Sequence, residues 1–75
     1  MKKFGEKLRI LRKKRGLTTR ELGNMLGVHQ THVSQLENGR KTPNAAMILK
    51  IADTFGVSTD LLMRDELEVV DGGEK

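Results

Sequence analysis

The chain has 75 residues and a mass of 8.4 kDa, which suits one domain and leaves no room for a deep cleft between two lobes. Aromatic residues make up only 3% of it, which disfavours an all-β fold, and the absence of cysteine excludes disulfides, thiolate zinc sites and cysteine nucleophiles. No apolar run approaches the roughly 18 residues of a membrane span, and the N-terminus lacks the apolar region of a signal peptide. We therefore expect a cytoplasmic protein without membrane contacts.

Charge is distributed unevenly along the chain. Residues 1–41 carry 11 Lys and Arg but three acidic residues, a net charge of +8, whereas residues 42–75 carry a net charge of −4. A basic half joined to an acidic half indicates a face that meets a polyanion and another that is turned away from it. Lysine-rich helices can also be merely soluble, so charge alone leaves both interpretations open.

The first half of the chain predicts two helices. The first runs from Phe4 to Arg15, and its apolar residues at positions 4, 8 and 11 lie on one side of a helix. Thr18 and Glu21 have the spacing of a capping box, which begins a second, short helix that ends near Met25.

The second half predicts two further helices and a final turn. The third helix spans Gln30 to Glu37 with His29 at its N-cap. Asn44 caps the fourth helix, and Ser58 caps a short last turn. The predicted core residues of these helices are Val33, Leu36, Ala45, Ile48, Ala52 and Phe55, and the last turn contains Leu61 and Leu62.

The sequence thus predicts an all-α domain of four or five short helices over residues 1–64. Residues 65–75 contain five acidic residues and form a separate tail, which we expect to be flexible or to contact a partner chain.

The second and third helices have the sequence pattern of a helix-turn-helix. Gly27, Val28 and His29 are too few to join antiparallel helices with a long overlap, so the two helices should meet at a steep angle. On a helical wheel, Val33 and Leu36 of the third helix point toward the core. The opposite face carries uncharged hydrogen-bonding side chains, namely Thr31, Ser34, Gln35 and Asn38, with Gln30 at its edge.

This polar face is suited to reading DNA bases. A glutamine amide can bond both hydrogen-bonding positions of an adenine edge, and threonine offers a hydroxyl together with a methyl group for the thymine methyl. Around it are groups suited to phosphates: Arg40 and Lys41 after the third helix, and Thr19 and Arg20 at the start of the second. A small helical bundle with a polar surface helix and no nucleic-acid role is the alternative.

Three runs of residues carry a family resemblance. They are Leu17-Thr18-Thr19-Arg20-Glu21-Leu22, Leu26-Gly27-Val28 and Val33-Ser34-Gln35-Leu36-Glu37-Asn38-Gly39-Arg40-Lys41-Thr42-Pro43, followed by residues 51–57 and Leu61-Leu62. In order and spacing, over roughly residues 4–63, they resemble the lambda repressor/Cro-like (Xre) helix-turn-helix family.

The resemblance implies a compact five-helix domain from a prokaryote or phage. Such a protein is a transcriptional regulator, in the expected case a repressor, that binds double-stranded DNA as a homodimer on a two-fold symmetric operator. Its third helix would lie in the major groove. The implied base-reading residues are Gln30, Thr31, Ser34 and Gln35, and the implied phosphate-binding residues are Thr19, Arg20, His29, Asn38, Arg40 and Lys41.

Arg12 and Glu37 match a pair that forms a partly buried salt bridge in this family, and the wheel places both at the edge of apolar stripes. We expect the pair to position the reading helix.

Two residues depart from the family pattern. Gly23 replaces the usual alanine, which should cost the second helix up to about 1 kcal/mol. His29 replaces the usual Ser or Thr cap, so the cap should be weaker or His29 should turn toward a phosphate.

Other functions find less support in the sequence. His29 and His32 are three residues apart, as in some metal sites, but no third ligand is nearby, so we expect no metal and no cofactor. Ser34 lacks a carboxylate that would complete a catalytic triad, and we expect no enzymatic activity.

The main alternative is an antitoxin-type regulator whose tail, with Leu67, Val69 and Val70, binds a protein partner. A restriction–modification controller and a phage or developmental repressor are further alternatives that the sequence does not separate.

Overall fold

The computed structural model describes residues 2–69, and these residues form five helices and no strand. The expected all-α, five-helix fold is therefore confirmed. The helices are α1 (Phe4–Lys14), α2 (Thr19–Leu26), α3 (Gln30–Glu37), α4 (Ala45–Phe55) and α5 (Thr59–Met63). None of the helices among these residues has the length and apolarity to cross a bilayer.

The helix ends follow from local hydrogen bonding. At the start of α2, Thr18 Oγ1 accepts from the Glu21 backbone N–H at 3.0 Å, and the Glu21 carboxylate accepts from the Thr18 N–H at 2.9 Å. At the starts of α4 and α5, the side chains of Asn44 and Ser58 each accept one hydrogen bond, from the backbone N–H groups of Met47 and Leu61. Gly27 ends α2 with φ +76°, a left-handed conformation that glycine adopts without strain, and so allows the short turn into α3.

One apolar core joins all five helices. Its residues are Phe4, Leu8, Leu11, Leu22, Leu26, Val33, Leu36, Ile48, Ile51, Ala52, Phe55 and Leu62. The prediction for α4 was wrong at one residue and incomplete at another. Ala45 is exposed because it is the first residue of α4 and lies beyond the residues that the helix packs against. Ile51, which was not predicted, is fully buried because it lies three residues from Ile48 on the same face of the helix.

The N-terminal helix approaches the end of the third helix closely. The approach occurs at Gly5, where a Cβ atom would lie 2.7 Å from the carbonyl oxygen of Leu36 and closer still to that of Glu37. Since real Cβ atoms do not come so near to backbone oxygens, only glycine lets α1 and α3 pack at this distance.

Replacing Gly5 with alanine should therefore destabilise the domain by about 2 kcal/mol, because an overpacking cost at the upper end of about 1–3 kcal/mol exceeds the gain in helix propensity of about 1 kcal/mol. Urea unfolding followed by circular dichroism measures this difference. Glu6→Ala, at the next, exposed position, is the matched control and should stay within about 0.5 kcal/mol of the parent. A Gly5→Ala variant as stable as its parent would show that the two helices can separate at no cost.

The first residues of the acidic segment lie against α1. The Asp65 carboxylate accepts hydrogen bonds from the backbone N–H groups of Lys2 and Lys3, at 2.9 and 3.0 Å, and these bonds lower the pKa of Asp65. Lys7 is only 3% exposed, and its ammonium donates to the carbonyl oxygens of Leu61 and Arg64 at the end of α5. Val69 packs on the core. The remainder of the predicted tail, residues 70–75, lies outside the described part of the chain.

Candidate nucleic-acid interface

The third helix carries the four side chains that the sequence assigned to base reading, two of them exposed and two half-buried. Gln30 and Thr31, in its first turn, are exposed, and Ser34 and Gln35 are half-buried. Val33 is fully buried on the opposite face. The helix thus turns its apolar side into the core and an uncharged polar side toward solvent, and no described residue of the chain covers the two exposed side chains.

His29 caps this helix. Its Nδ1 accepts a hydrogen bond from the Thr31 backbone N–H at 3.1 Å, and the Thr31 hydroxyl lies 3.0 Å from the same nitrogen. A ring nitrogen that accepts from a backbone N–H carries no proton, so the proton of the neutral ring sits on Nε2, where it can be donated to a ligand. Of the two expectations for His29, the structure places the ring at the cap.

Replacing His29 with alanine should lower the free energy of unfolding by about 1 kcal/mol, because the first turn of α3 loses its side-chain acceptor. Thermal or urea unfolding gives the value. His29→Ser is the matched control, since a serine hydroxyl can accept the same backbone hydrogen bond and should retain most of the stability. Equal stabilities for the alanine and serine variants would mean that the cap contributes nothing.

An open groove of about 560 Å³ runs beside the turn of the helix-turn-helix. Its lining residues are Arg20, Gly23, Asn24, Gly27, Val28, His29 and Gln30. Gly23 makes the turn tight: a Cβ there would lie 2.7 Å from the Val28 carbonyl oxygen, so α2 and the turn meet more closely than an alanine permits. Asn24 was missed in the sequence analysis, although its position four residues after Arg20 places it on the same face of α2.

Cationic and polar groups lie at both ends of the exposed face of α3. Beyond its C-terminus Asn38, Arg40 and Lys41 are exposed, and the backbone N–H groups of Arg40 and Lys41 donate to the Gln35 carbonyl oxygen at 2.9 and 3.3 Å. These bonds hold the two basic residues close to the helix end. On α2, Thr19 is half-buried in the first turn and Arg20 is exposed.

An ion pair joins α1 to the end of α3. Arg12 Nε lies 2.7 Å from Glu37 Oε2, and Arg12 Nη2 lies 3.1 Å from Oε1, a two-pronged contact that raises the pKa of Arg12. The Glu37 side chain is 2% exposed and that of Arg12 is 14% exposed. Arg12 also donates to the Leu17 carbonyl oxygen at 2.9 Å. The pair therefore joins the end of α3 to α1, the two helices that the family resemblance implied it would connect.

The structure adds Arg9 to this ion pair, a residue that the sequence analysis missed. Arg9 Nε lies 3.4 Å from Glu37 Oε1, and Arg9 Nη2 donates to Asn38 Oδ1 at 3.0 Å. Because Arg9 precedes Arg12 by three residues, both side chains leave α1 on the same side. The spacing of the two arginines can be read from the sequence. The partners of Arg9 lie 28 and 29 residues away, and no local pattern indicates them.

The two histidines of the chain do not belong to a metal site within residues 2–69. No group of three or more His, Cys, Asp or Glu side chains in this range is arranged to hold a metal ion. His32 is half-buried on α3, and His29 is engaged at the helix cap.

The sequence is similar to known helix-turn-helix proteins. Residues 8–62 match a family model described as Helix-turn-helix. The chain is 39% identical over 64 residues to the HTH-type transcriptional repressor RghR of Bacillus subtilis, covering 84% of the chain and 47% of RghR. It is 32% identical over 72 residues to the ImmF control region 10 kDa protein of Bacillus phage phi105, covering 96% of the chain and 80% of that protein.

Among solved structures, the chain resembles the P22 c2 repressor in complex with a synthetic operator. The TM-score is 0.77 with 33% identity, and the match covers 81% of this chain and 92% of the repressor chain. The sequence spans about half the length of RghR, so it matches the helix-turn-helix part of that longer relative. Fold, matched family model and relatives agree, and the chain belongs to the lambda repressor/Cro-like helix-turn-helix family of DNA-binding transcriptional regulators.

Proposed function

We propose that the protein is a transcriptional repressor that binds a specific operator by placing α3 in the major groove of double-stranded DNA. The observation that carries this proposal is the exposed, uncharged face of α3, where an ordinary solvated helix would carry Glu and Lys. Gln30, Thr31, Ser34 and Gln35 are the base-reading residues of this proposal. The P22 c2 repressor, which resembles this chain along 81% of its length, was crystallised with a synthetic operator.

The backbone of the DNA would be held by groups on both sides of α3. In this arrangement Thr19 and Arg20 approach the phosphates of one DNA strand from the start of α2, and the Nε2–H of His29 is available as a further donor beside them. Asn38, Arg40 and Lys41 approach the backbone from the other end of the helix. These contacts set the register of α3 in the groove and carry most of the sequence-independent affinity.

We further propose that two copies act together on a two-fold symmetric operator. One module of this size buries only about 600–1,000 Å² on DNA, which is too little for tight specific binding. A dimer would place two copies of α3 in successive major grooves about 34 Å apart. The net charge of +8 on residues 1–41 favours an orientation in which this half of each copy faces the duplex. The protein would act in the cytoplasm, on the nucleoid of a bacterium or on phage DNA.

Selection of bound duplexes from a random DNA pool tests the function, and light scattering of the protein with the selected duplex tests the stoichiometry. We expect an inverted repeat with half-sites about one helical turn apart, bound by two protein chains. A pool that shows no enrichment at low salt would refute sequence-specific binding. An enriched, asymmetric site bound by a single chain would refute the dimer but would remain compatible with base reading by α3.

A further inference from the structure

We infer that Arg9 is a positioning residue for DNA binding, which fixes the side-chain amide of Asn38 so that its N–H groups face the phosphate backbone. The inference rests on the proposed function and assigns a role to a residue that neither the sequence pattern nor the family resemblance singled out.

The orientation of the Asn38 amide follows from hydrogen-bonding chemistry. An asparagine side chain carries an acceptor oxygen on one side and two N–H donors on the other, and a guanidinium carries donors only. The atom that lies 3.0 Å from Arg9 Nη2 must therefore be the carbonyl oxygen Oδ1. With Oδ1 bound to Arg9, the Nδ2 donors of this exposed residue do not face the Arg9 guanidinium and are available to a ligand.

A phosphate oxygen accepts hydrogen bonds and does not donate them, so it is attracted to Nδ2 and repelled by Oδ1. Without Arg9, the amide could rotate and present its oxygen to the DNA for part of the time. Asn38 is well placed for the contact, because it is the C-cap residue of α3 and its backbone N–H is bonded to the Ser34 carbonyl oxygen at 2.9 Å. Only the side-chain torsions of Asn38 are left for Arg9 to fix.

Arg9 is itself held in place from within the domain. Its Nε lies 3.4 Å from Glu37 Oε1, and that carboxylate is buried and bound by Arg12. The Arg9 side chain is 48% exposed, so it reaches from α1 across the end of α3 while one side of the guanidinium contacts Glu37. Two donors in a rigid plane are needed for this arrangement, which an arginine provides and a lysine does not.

The test uses Arg9→Lys, which keeps the positive charge and removes the planar fork. It is combined with Asn38→Ala in a double-mutant cycle, and binding is measured on the selected duplex and on a duplex of scrambled sequence. If Arg9 acts through Asn38, Arg9→Lys should weaken binding to both duplexes by about two- to tenfold, as expected for one hydrogen bond. In the Asn38→Ala background, the same substitution should change affinity by less than about twofold.

Equal losses from Arg9→Lys in both backgrounds would overturn the inference, since Arg9 would then act on DNA directly or through the fold. No loss in the parent background would overturn it as well. Arg64→Lys is the matched control, because Arg64 is an exposed arginine at the end of α5 that pairs with Glu66, and its replacement should leave affinity unchanged. Urea unfolding of each variant separates a loss of binding from a loss of stability.

A measurement on the free protein separates this inference from the proposed function. The side-chain amide resonances of Asn38, identified by their absence in Asn38→Ala, should shift in Arg9→Lys because Oδ1 loses its donor. Unchanged resonances would contradict the contact whether or not the protein binds DNA. If the resonances shift and neither duplex is bound, the proposed function fails and the role of Arg9 in DNA binding fails with it.

Discussion

Replacing Arg12 with methionine should cost the domain about 3 kcal/mol of stability. Glu37 is 2% exposed, and the substitution would leave its carboxylate buried with only the longer contact to Arg9. An unpaired buried charge costs about 3–5 kcal/mol, and the contact to Arg9 places the expected value at the lower end. The core of a domain this short supplies only about 3–5 kcal/mol in total, so the variant should be largely unfolded at physiological temperature.

The matched control replaces both members of the pair. Arg12→Met combined with Glu37→Leu removes the buried charge together with its partner, and such replacements of whole ion pairs are often close to neutral in stability. Urea unfolding of the two single variants and the double variant gives the coupling energy. We expect the double variant to recover most of the loss, and a double variant as unstable as the sum of both single variants would contradict the account of Glu37 as a buried, paired charge.

Recovery of stability should not restore DNA binding to the same extent. The Arg12–Glu37 pair joins α1 to the last residue of α3, and Glu37 also holds Arg9 beside Asn38. A stable double variant would therefore retain the fold with the end of the reading helix less firmly placed.

Gln30→Ala and Gln35→Ala should each relax base preference by about 1–3 kcal/mol at one position of each half-site, because a glutamine amide bonds both positions of one base edge. Lys41→Ala should weaken binding to all sequences equally and reduce the dependence on salt by about one phosphate contact. Affinities for the selected duplex and for single-base variants of it, measured at several salt concentrations, distinguish the two effects.

Gln30→Ala should leave stability within about 0.5 kcal/mol of the parent, because Gln30 is exposed. A change in base preference in this variant would therefore not come from unfolding. If the glutamine and lysine variants all lowered affinity uniformly, the assignment of Gln30 and Gln35 to base reading would be wrong.

The fold could be predicted from the sequence because its determinants are local. The capping box at Thr18 and Glu21 and the left-handed glycine at Gly27 define α2, and the predicted end at Met25 differs from the observed end by one residue. The error at Ala45 has a physical reason, since helical periodicity indicates which side of a helix is apolar but does not indicate how far along the helix the packing partner extends.

The candidate site could be predicted only in part. The polar face of α3 follows from helical periodicity within eight residues, and this local pattern indicated Gln30, Thr31, Ser34 and Gln35. The contacts that support that face are long-range. Gly5 against Glu37 and Arg9 against Asn38 depend on how α1 crosses the end of α3, which no local pattern determines.

Base-analogue interference on the selected duplex tests most directly whether α3 reads the major groove. Replacing single purines with 7-deaza analogues removes the N7 acceptor in the major groove, and 3-deaza analogues remove the N3 acceptor in the minor groove. The account predicts that 7-deaza purines at the read positions of each half-site weaken binding by about 1–3 kcal/mol and that 3-deaza purines at the same positions have no effect. Sensitivity to the 3-deaza analogues alone would place the protein in the minor groove and contradict the account.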